Sequence, residues 1–207
     1  MTTDRVIYAV DDDERFLAAL MRSLHETGLP VRGYSSGQEL LDGLETSCSG
    51  CVVSDLRMPG MDGLELYRRL KARGARLPMI FVTGHGDARQ AVAALKAGAA
   101  DFLEKPFPEQ VLLQSVGQAL EADAVERRLL ADKAVVRERY ENLSPRERAV
   151  FALVVSNLHN KEIASELRIS PRTVEHHREH VMLKMQAHTM AELLTMAMLC
   201  GVRELHL

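Results

Sequence analysis

Short apolar runs alternate with amphipathic stretches along the N-terminal part of the chain. Val6-Ile7-Tyr8-Ala9-Val10 is an unbroken apolar run of the kind found in strands buried on both faces. Glu14 to Thr27 carries Phe16, Leu17, Leu20, Met21 and Leu24 at helical spacing, and Gly28 ends it. The pattern then predicts a strand at Val31–Tyr34, a helix at Gly37–Leu44, a buried strand at Cys51–Ser54 and a Met58-Pro59-Gly60 turn. A helix at Gly63–Ala72, a strand at Met79–Val82 and a helix at Ala88–Ala97 follow. Asp101–Leu103 is a short fifth strand and Glu109–Leu120 a further helix. Strand and helix alternate five times, which predicts a doubly wound α/β domain with a parallel five-stranded sheet over residues 1–121.

The pattern changes after this region. Residues 122–142 contain no Gly or Pro and balance five basic against five acidic residues. Val125, Leu129, Val136 and Leu143 recur at helical spacing, so a helical linker is expected rather than a flexible one. From residue 143 to 207 no strand signal remains. Helices fit Pro145–Ser156, Lys161–Leu167, Pro171–Met185 and Met190–Leu199, a small all-α domain. Ser144 and Ser170, each followed by Pro, are expected helix caps, and Asn160 is expected to cap the helix that begins at Lys161. The two helices flanking Arg168-Ile169-Ser170 have the spacing of a helix-turn-helix.

Composition narrows the class. Of 207 residues, 46% are hydrophobic and 27% charged, ordinary for a globular protein, and Trp is absent, so aliphatic cores are expected. The formal net charge is -3, and the C-terminal domain is only weakly basic, so bulk charge is no argument for nucleic acid. Three Cys and no apolar run at the N-terminus or of bilayer length lead to the expectation of a cytoplasmic protein with no membrane partner.

Candidate chemistry gathers where the strands end. In open parallel sheets ligands bind beyond the carboxyl ends of the strands. The first strand runs into Asp11-Asp12-Asp13, the third into Asp55, the fourth into Thr83, and Lys105 follows the fifth. Grouped carboxylates raise one another's pKa unless a cation is present, and hard oxygen donors suit Mg²⁺. Asp55 is the candidate nucleophile for phosphoryl transfer, with Asp11 and Asp12 holding the metal. Lys105 would neutralise phosphoryl oxygens, and the Thr83 hydroxyl would bond one of them.

These segments carry a resemblance. Val10-Asp11-Asp12-Asp13, Ser54-Asp55-Leu56-Arg57-Met58-Pro59-Gly60-Met61-Asp62-Gly63, Val82-Thr83-Gly84-His85-Gly86 and Phe102-Leu103-Glu104-Lys105-Pro106-Phe107 resemble receiver domains of two-component response regulators, most of all the FixJ-like branch. The resemblance implies a sensor histidine kinase as phosphodonor and Asp55 as acceptor. It implies Mg²⁺ held by Asp11, Asp12, Asp55 and the Arg57 carbonyl, a switch through Thr83 and Phe102, and a cis Lys105–Pro106 bond. Ser144-Pro145-Arg146-Glu147-Arg148, Asn160-Lys161-Glu162-Ile163-Ala164 and Ile169-Ser170-Pro171-Arg172-Thr173-Val174-Glu175 resemble the LuxR-type DNA-binding domain. That implies promoter DNA and RNA polymerase as partners, and homodimerisation on phosphorylation. By position, Lys161, Arg172 and Lys184 are phosphate-contact candidates. Thr173, Glu175, His176 and Glu179 lie on the reading helix, the last three as base-contact candidates. Asn157 stands where many relatives carry Gly, a position Asn can fill with left-handed backbone.

Three readings are set aside. Cys48-Ser49-Gly50-Cys51 lacks the second Cys pair or helix start that a zinc or redox site needs. His176-His177-Arg178-Glu179-His180 matches an inverted zinc-protease string, but it lies in the helix-turn-helix and has no obvious downstream ligand, so catalytic zinc is not expected. An aspartyl-phosphate hydrolase would need a carboxylate two residues after Asp55, where Arg57 stands, so the chain is expected to be no enzyme beyond its own phosphoryl transfer.

Overall fold

The computed structural model describes residues 5–44, 48–84, 92 and 94–202. The chain divides into two compact units, residues 1–126 and 127–207. In the first, five parallel strands run β1 (Val6–Val10), β2 (Val31–Tyr34), β3 (Gly50–Asp55), β4 (Met79–Thr83) and β5 (Asp101–Glu104), in the spatial order β2-β1-β3-β4-β5. The order reverses between β1 and β3, which opens a crevice at their carboxyl ends. β1, β3 and β4 are buried throughout, and each carries an apolar run that suits a strand covered on both faces.

The flanking helices are α1 (Glu14–His25), α2 (Gly37–Gly43), α3 (Gly63–Ala72) and α4 (Glu109–Glu141). Most of the helix expected at Ala88–Ala97 lies outside the described residues, although 94–96 are helical. The alternating side chains of the sheet split the core in two. Tyr8, Val10, Val52 and Phe81 pack with Leu40, Leu66 and Leu70 on one face. Ile7, Ala9, Val53, Ile80 and Val82 pack with Leu20, Leu24, Leu112 and Val116 on the other.

Two glycines are fixed by close approach. Gly50 has φ +126°, and a Cβ there would sit 1.9 Å from the Val6 carbonyl oxygen. A Cβ at Gly63 would sit 2.5 Å from the Asp55 carbonyl oxygen, so only glycine lets α3 start beneath the end of β3.

The second unit holds α5 (Pro145–Val155), α6 (Asn160–Leu167), α7 (Pro171–Met185) and α8 (Met190–Cys200). Their core is Val150, Phe151, Val154, Ile163, Val174, Val181, Met185 and Leu193. Asn157 has φ 62°, so it takes the left-handed conformation expected of it. Asn160 does not cap α6. The cap is His159, whose N–H donates to Glu162 Oε2 at 2.6 Å, while Asn160 Oδ1 accepts from Arg178 Nη1 at 3.0 Å. The Asn side chain thus ties α6 to α7 instead of closing its own helix. Among the described residues, no helix is long and apolar enough to cross a membrane.

Candidate phosphoacceptor site and DNA-reading helix

The three acids after β1 separate into three tasks. Asp13 is the N-cap of α1, and its carboxylate accepts from the N–H groups of Arg15 and Phe16. Asp12 is exposed. Asp11 is buried, and its Oδ1 accepts from the Asp13 N–H at 2.9 Å. The Asp11 carboxyl is held above its ordinary value because burial outweighs the Lys105 contact.

β3 delivers Asp55 beside Asp11, because the two strands pair Val10 with Ser54. Asp55 is 7% exposed, and its Oδ2 accepts from the Arg57 N–H at 2.7 Å. β4 and β5 bring in the other groups. Thr83 pairs with Glu104, and the Lys105 N–H donates to the Thr83 carbonyl at 2.7 Å. Thr83 is 1% exposed.

Lys105 bridges the two acids. Its Nζ donates to Asp11 Oδ2 at 2.8 Å and Asp55 Oδ1 at 2.9 Å. Burial pulls the ammonium pKa down, but the two carboxylates more than compensate and raise it. The same ammonium stands 3.6 Å from the Phe16 ring centroid, and Phe107 packs edge-on to that ring. The Lys105–Pro106 bond is cis. Phe102 pairs with Phe81 and is half-buried against the Phe81 side of the core. Asp11, Asp55, Thr83 and Lys105 therefore converge on one sheet edge, with Asp12 at its rim.

Among the described residues no three His, Cys, Asp or Glu side chains form a ready-made metal cluster. Mg²⁺ does not need one, since it takes one or two carboxylates and completes its shell with water and phosphate oxygens. The donors here are all hard oxygens, and the buried Asp11 carboxyl, with its raised pKa, is a group a cation would relieve. The residues fit such an ion.

In the second unit, Arg168 takes left-handed backbone (φ 54°) and turns the chain from α6 into α7. Ser170 caps α7 by accepting from the Thr173 N–H, and the Thr173 hydroxyl is hydrogen-bonded to Ser170 Oγ at 2.8 Å. Val174, Val181 and Met185 are buried, which leaves Arg172, Glu175, His176 and Glu179 exposed on the opposite face. Lys161 is exposed at the start of α6. Lys184 is engaged, with Nζ donating to Glu147 Oε2 at 2.7 Å.

The sequence reading missed two polar anchors. Buried Asp123 on α4 accepts from Ser49 Oγ at 3.0 Å and the Gly50 N–H at 3.2 Å. Its signal was an acid in register with buried Val116 and Ala119, seven and four residues earlier. Buried Glu147 accepts from the Ser144 N–H at 2.7 Å, and its own N–H donates to Ser144 Oγ at 3.3 Å. Ser144-x-x-Glu147 is the signature of a capping box. Burial alone would raise the Glu147 carboxyl, but Lys184 and Ser144 overcome it and lower it to about 2. Neither Cys48 nor Cys51 is in a disulfide, and burial first, then Asp123, pushes the Cys51 thiol up to about 12. An inert thiol of that kind is structural.

An acidic sheet edge bridged by a lysine on one unit and a helix-turn-helix on the other are the features of a receiver joined to a DNA-binding domain. The sequence profile described as "Response regulator receiver domain" matches residues 7–117, and that described as "Bacterial regulatory proteins, luxR family" matches 141–197. The chain belongs to the response regulator family with a LuxR-type DNA-binding domain. It is 44% identical over 196 residues to "Transcriptional regulatory protein FixJ" of Azorhizobium caulinodans, covering 95% of this chain and 93% of the relative. It is 42% identical over 188 residues to "Response regulator protein TodT" of Pseudomonas putida, covering 91% of this chain and 83% of that one. Among solved structures it is similar to response regulator StyR, with TM-score 0.82, 35% identity and coverage of 94% and 98%. It is also similar to full-length FixJ from B. japonicum, with TM-score 0.58, 42% identity and coverage of 98% and 100%.

Proposed function

We propose that this cytoplasmic response regulator takes a phosphoryl group from a sensor histidine kinase onto Asp55 and thereby controls promoter binding through α7. The observation that supports this best is the Lys105 ammonium held jointly by Asp11 and Asp55.

Mg²⁺ held by Asp11, Asp12, Asp55 and the Arg57 carbonyl would supply the charge neutralisation that phosphoryl transfer needs. A carboxylate oxygen of Asp55 attacks phosphorus as the bond to the donor breaks. The Arg57 N–H orients the Asp55 carboxylate. Lys105 passes from the carboxylate to a phosphoryl oxygen, and the Thr83 hydroxyl donates to another. Thr83 moving inward vacates space that the half-buried Phe102 ring can fill, which biases a two-state surface.

The receiver occupies residues 1–121, the helical linker 122–142 and the effector domain 143–207. Phosphorylation favours a homodimer that sets two copies of α7 on adjacent half-sites about one DNA turn apart. Lys161 and Arg172 take backbone phosphates, joined by Lys184 through the donors that Glu147 leaves over. Glu175, His176 and Glu179 face base edges, and Thr173 supports the start of the helix. RNA polymerase is the partner downstream.

The test is labelling with acetyl phosphate in Mg²⁺, followed by acid and base treatment. An acyl phosphate that appears on the wild type and vanishes in Asp55→Asn is expected. Undiminished label in Asp55→Asn overturns the assignment.

A further inference from the structure

One cluster is used neither by the phosphoacceptor edge nor by the packing of the second unit. His176 and His180 lie four residues apart on the exposed face of α7, with ring centroids 4.1 Å apart and planes inclined at 54°. Two imidazoles at this spacing are the helical half of a transition-metal chelate. We propose that His176 and His180 bind a Zn²⁺-class ion on the reading face of α7, and that this ion and DNA compete for that face.

The local chemistry favours the chelate. His180 Nδ1 lies 3.6 Å from Glu147 Oε1. Glu147 is buried and fixed by Ser144 and Lys184, so a carboxylate stands permanently beside that ring nitrogen. At that distance the carboxylate is an electrostatic neighbour, not a hydrogen-bond partner, and it favours a proton on Nδ1, which leaves the Nε2 lone pair for a metal; a short closing movement would give the carboxylate–histidine pairing found behind zinc-bound histidines. Two nitrogens on one ion with bonds of about 2.0–2.1 Å stand ~3.3 Å apart, a bite that rings at this separation supply by small side-chain rotations.

No third His, Cys, Asp or Glu joins to form a cluster among the described residues. The site is therefore an open, exchangeable one completed by water, not a structural one. Imidazole donors favour Cu²⁺, Ni²⁺ and Zn²⁺ over the hard ion suited to Asp11 and Asp55. Competition rests on the reading of α7 as the DNA-reading helix. An ion held by His176 takes that imidazole away from base edges.

The experiment uses the full chain, stripped of metal, titrated with Zn²⁺ against a chromophoric chelator. The wild type is expected to bind one ion more than His180→Gln. Glu147→Gln should retain the site with affinity lowered by about tenfold, the usual effect of losing a group that orients a ligand. Equal Zn²⁺ binding by wild type and His180→Gln overturns the site.

In a second arm, the phosphorylated chain selects a duplex from a random pool. Saturating Zn²⁺ should then weaken wild-type binding by about tenfold, the size of one lost base contact, and leave His180→Gln within about twofold. Unchanged or tighter wild-type binding overturns the competition. Failure to select any duplex overturns the reading of α7 itself, and the metal titration stands apart from that result.

Discussion

The Glu147 anchor should make the second unit less stable in acid. Its carboxyl is lowered from an ordinary 4.5 to about 2 in the folded protein. At about 1.36 kcal/mol per pKa unit this corresponds to roughly 3 kcal/mol of stabilisation of the charged form. Glu147 is 4% exposed, but Lys184 is 40% exposed, so solvent screening brings the expectation to about 1.5–3 kcal/mol. The sign follows from the lowered folded value. The contribution is complete above pH ~4.5 and is lost as pH falls toward ~2. Glu147→Gln removes the charge but keeps an acceptor for the Ser144 N–H. At pH 7 the variant should therefore be less stable by that amount, and the gap should close as the wild type is acidified through the same window.

Hydrogen exchange on the full chain, read in peptides from α5 and α7, isolates this unit from the receiver. A loss of 3 kcal/mol is a drop of ~100-fold in protection, and 1.5 kcal/mol a drop of ~10-fold. A gap that stays constant from pH 6 to pH 3, or that is absent at pH 7, would refute the reasoning.

Three further outcomes are expected. Asp123→Ala strands the Ser49 hydroxyl and Gly50 N–H, so thermal unfolding should show a loss of about 1–3 kcal/mol, and exchange should rise first near residue 123; protection there at the wild-type level would speak against the anchor. Gly63→Ala forces a Cβ against the Asp55 carbonyl, and displacing the acceptor should slow acetyl phosphate labelling by up to about 100-fold in a chain that still folds by circular dichroism. Asp12→Ala should weaken Mg²⁺ binding, measured by titration calorimetry, while leaving the buried Asp11–Lys105–Asp55 contacts in place; unchanged Mg²⁺ affinity would remove Asp12 from the ligand set.

The architecture was legible because the three central strands, β1, β3 and β4, are buried on both faces and so read as plain apolar runs such as Val6–Val10. Each run is followed directly by its functional side chain, which made Asp55 and Thr83 readable by position. The sequence set Asp11 and Asp12 apart from Asp13 as metal holders, but it separated neither the buried Asp11 from the exposed Asp12 nor Asp13 as a cap. The division of labour depends on where α1 starts, which makes Asp13 its cap. The cap of α6 was misplaced by one residue because Asn160 is the better cap chemically, yet its amide oxygen is claimed by Arg178 from another helix. That contact spans eighteen residues and leaves no local trace. Asp123 and Glu147 did leave local traces, the register with Val116 and Ala119 and the Ser144-x-x-Glu147 pattern, but an acid on a helix reads as solvent-facing until the opposing donors are known. The engagement of Lys184 with Glu147, thirty-seven residues away, is equally invisible to spacing rules.

If the proposed function holds, a phosphoryl group on Asp55 controls what α7 does. The most direct measurement is footprinting on a selected duplex together with light scattering, on one sample, before and after acetyl phosphate treatment, for wild type and Asp55→Asn. The wild type alone is expected to double in mass and to gain protection over two half-sites about one helical turn apart. Wild-type protein with verified phosphate on Asp55 but unchanged mass and unchanged footprint would contradict it.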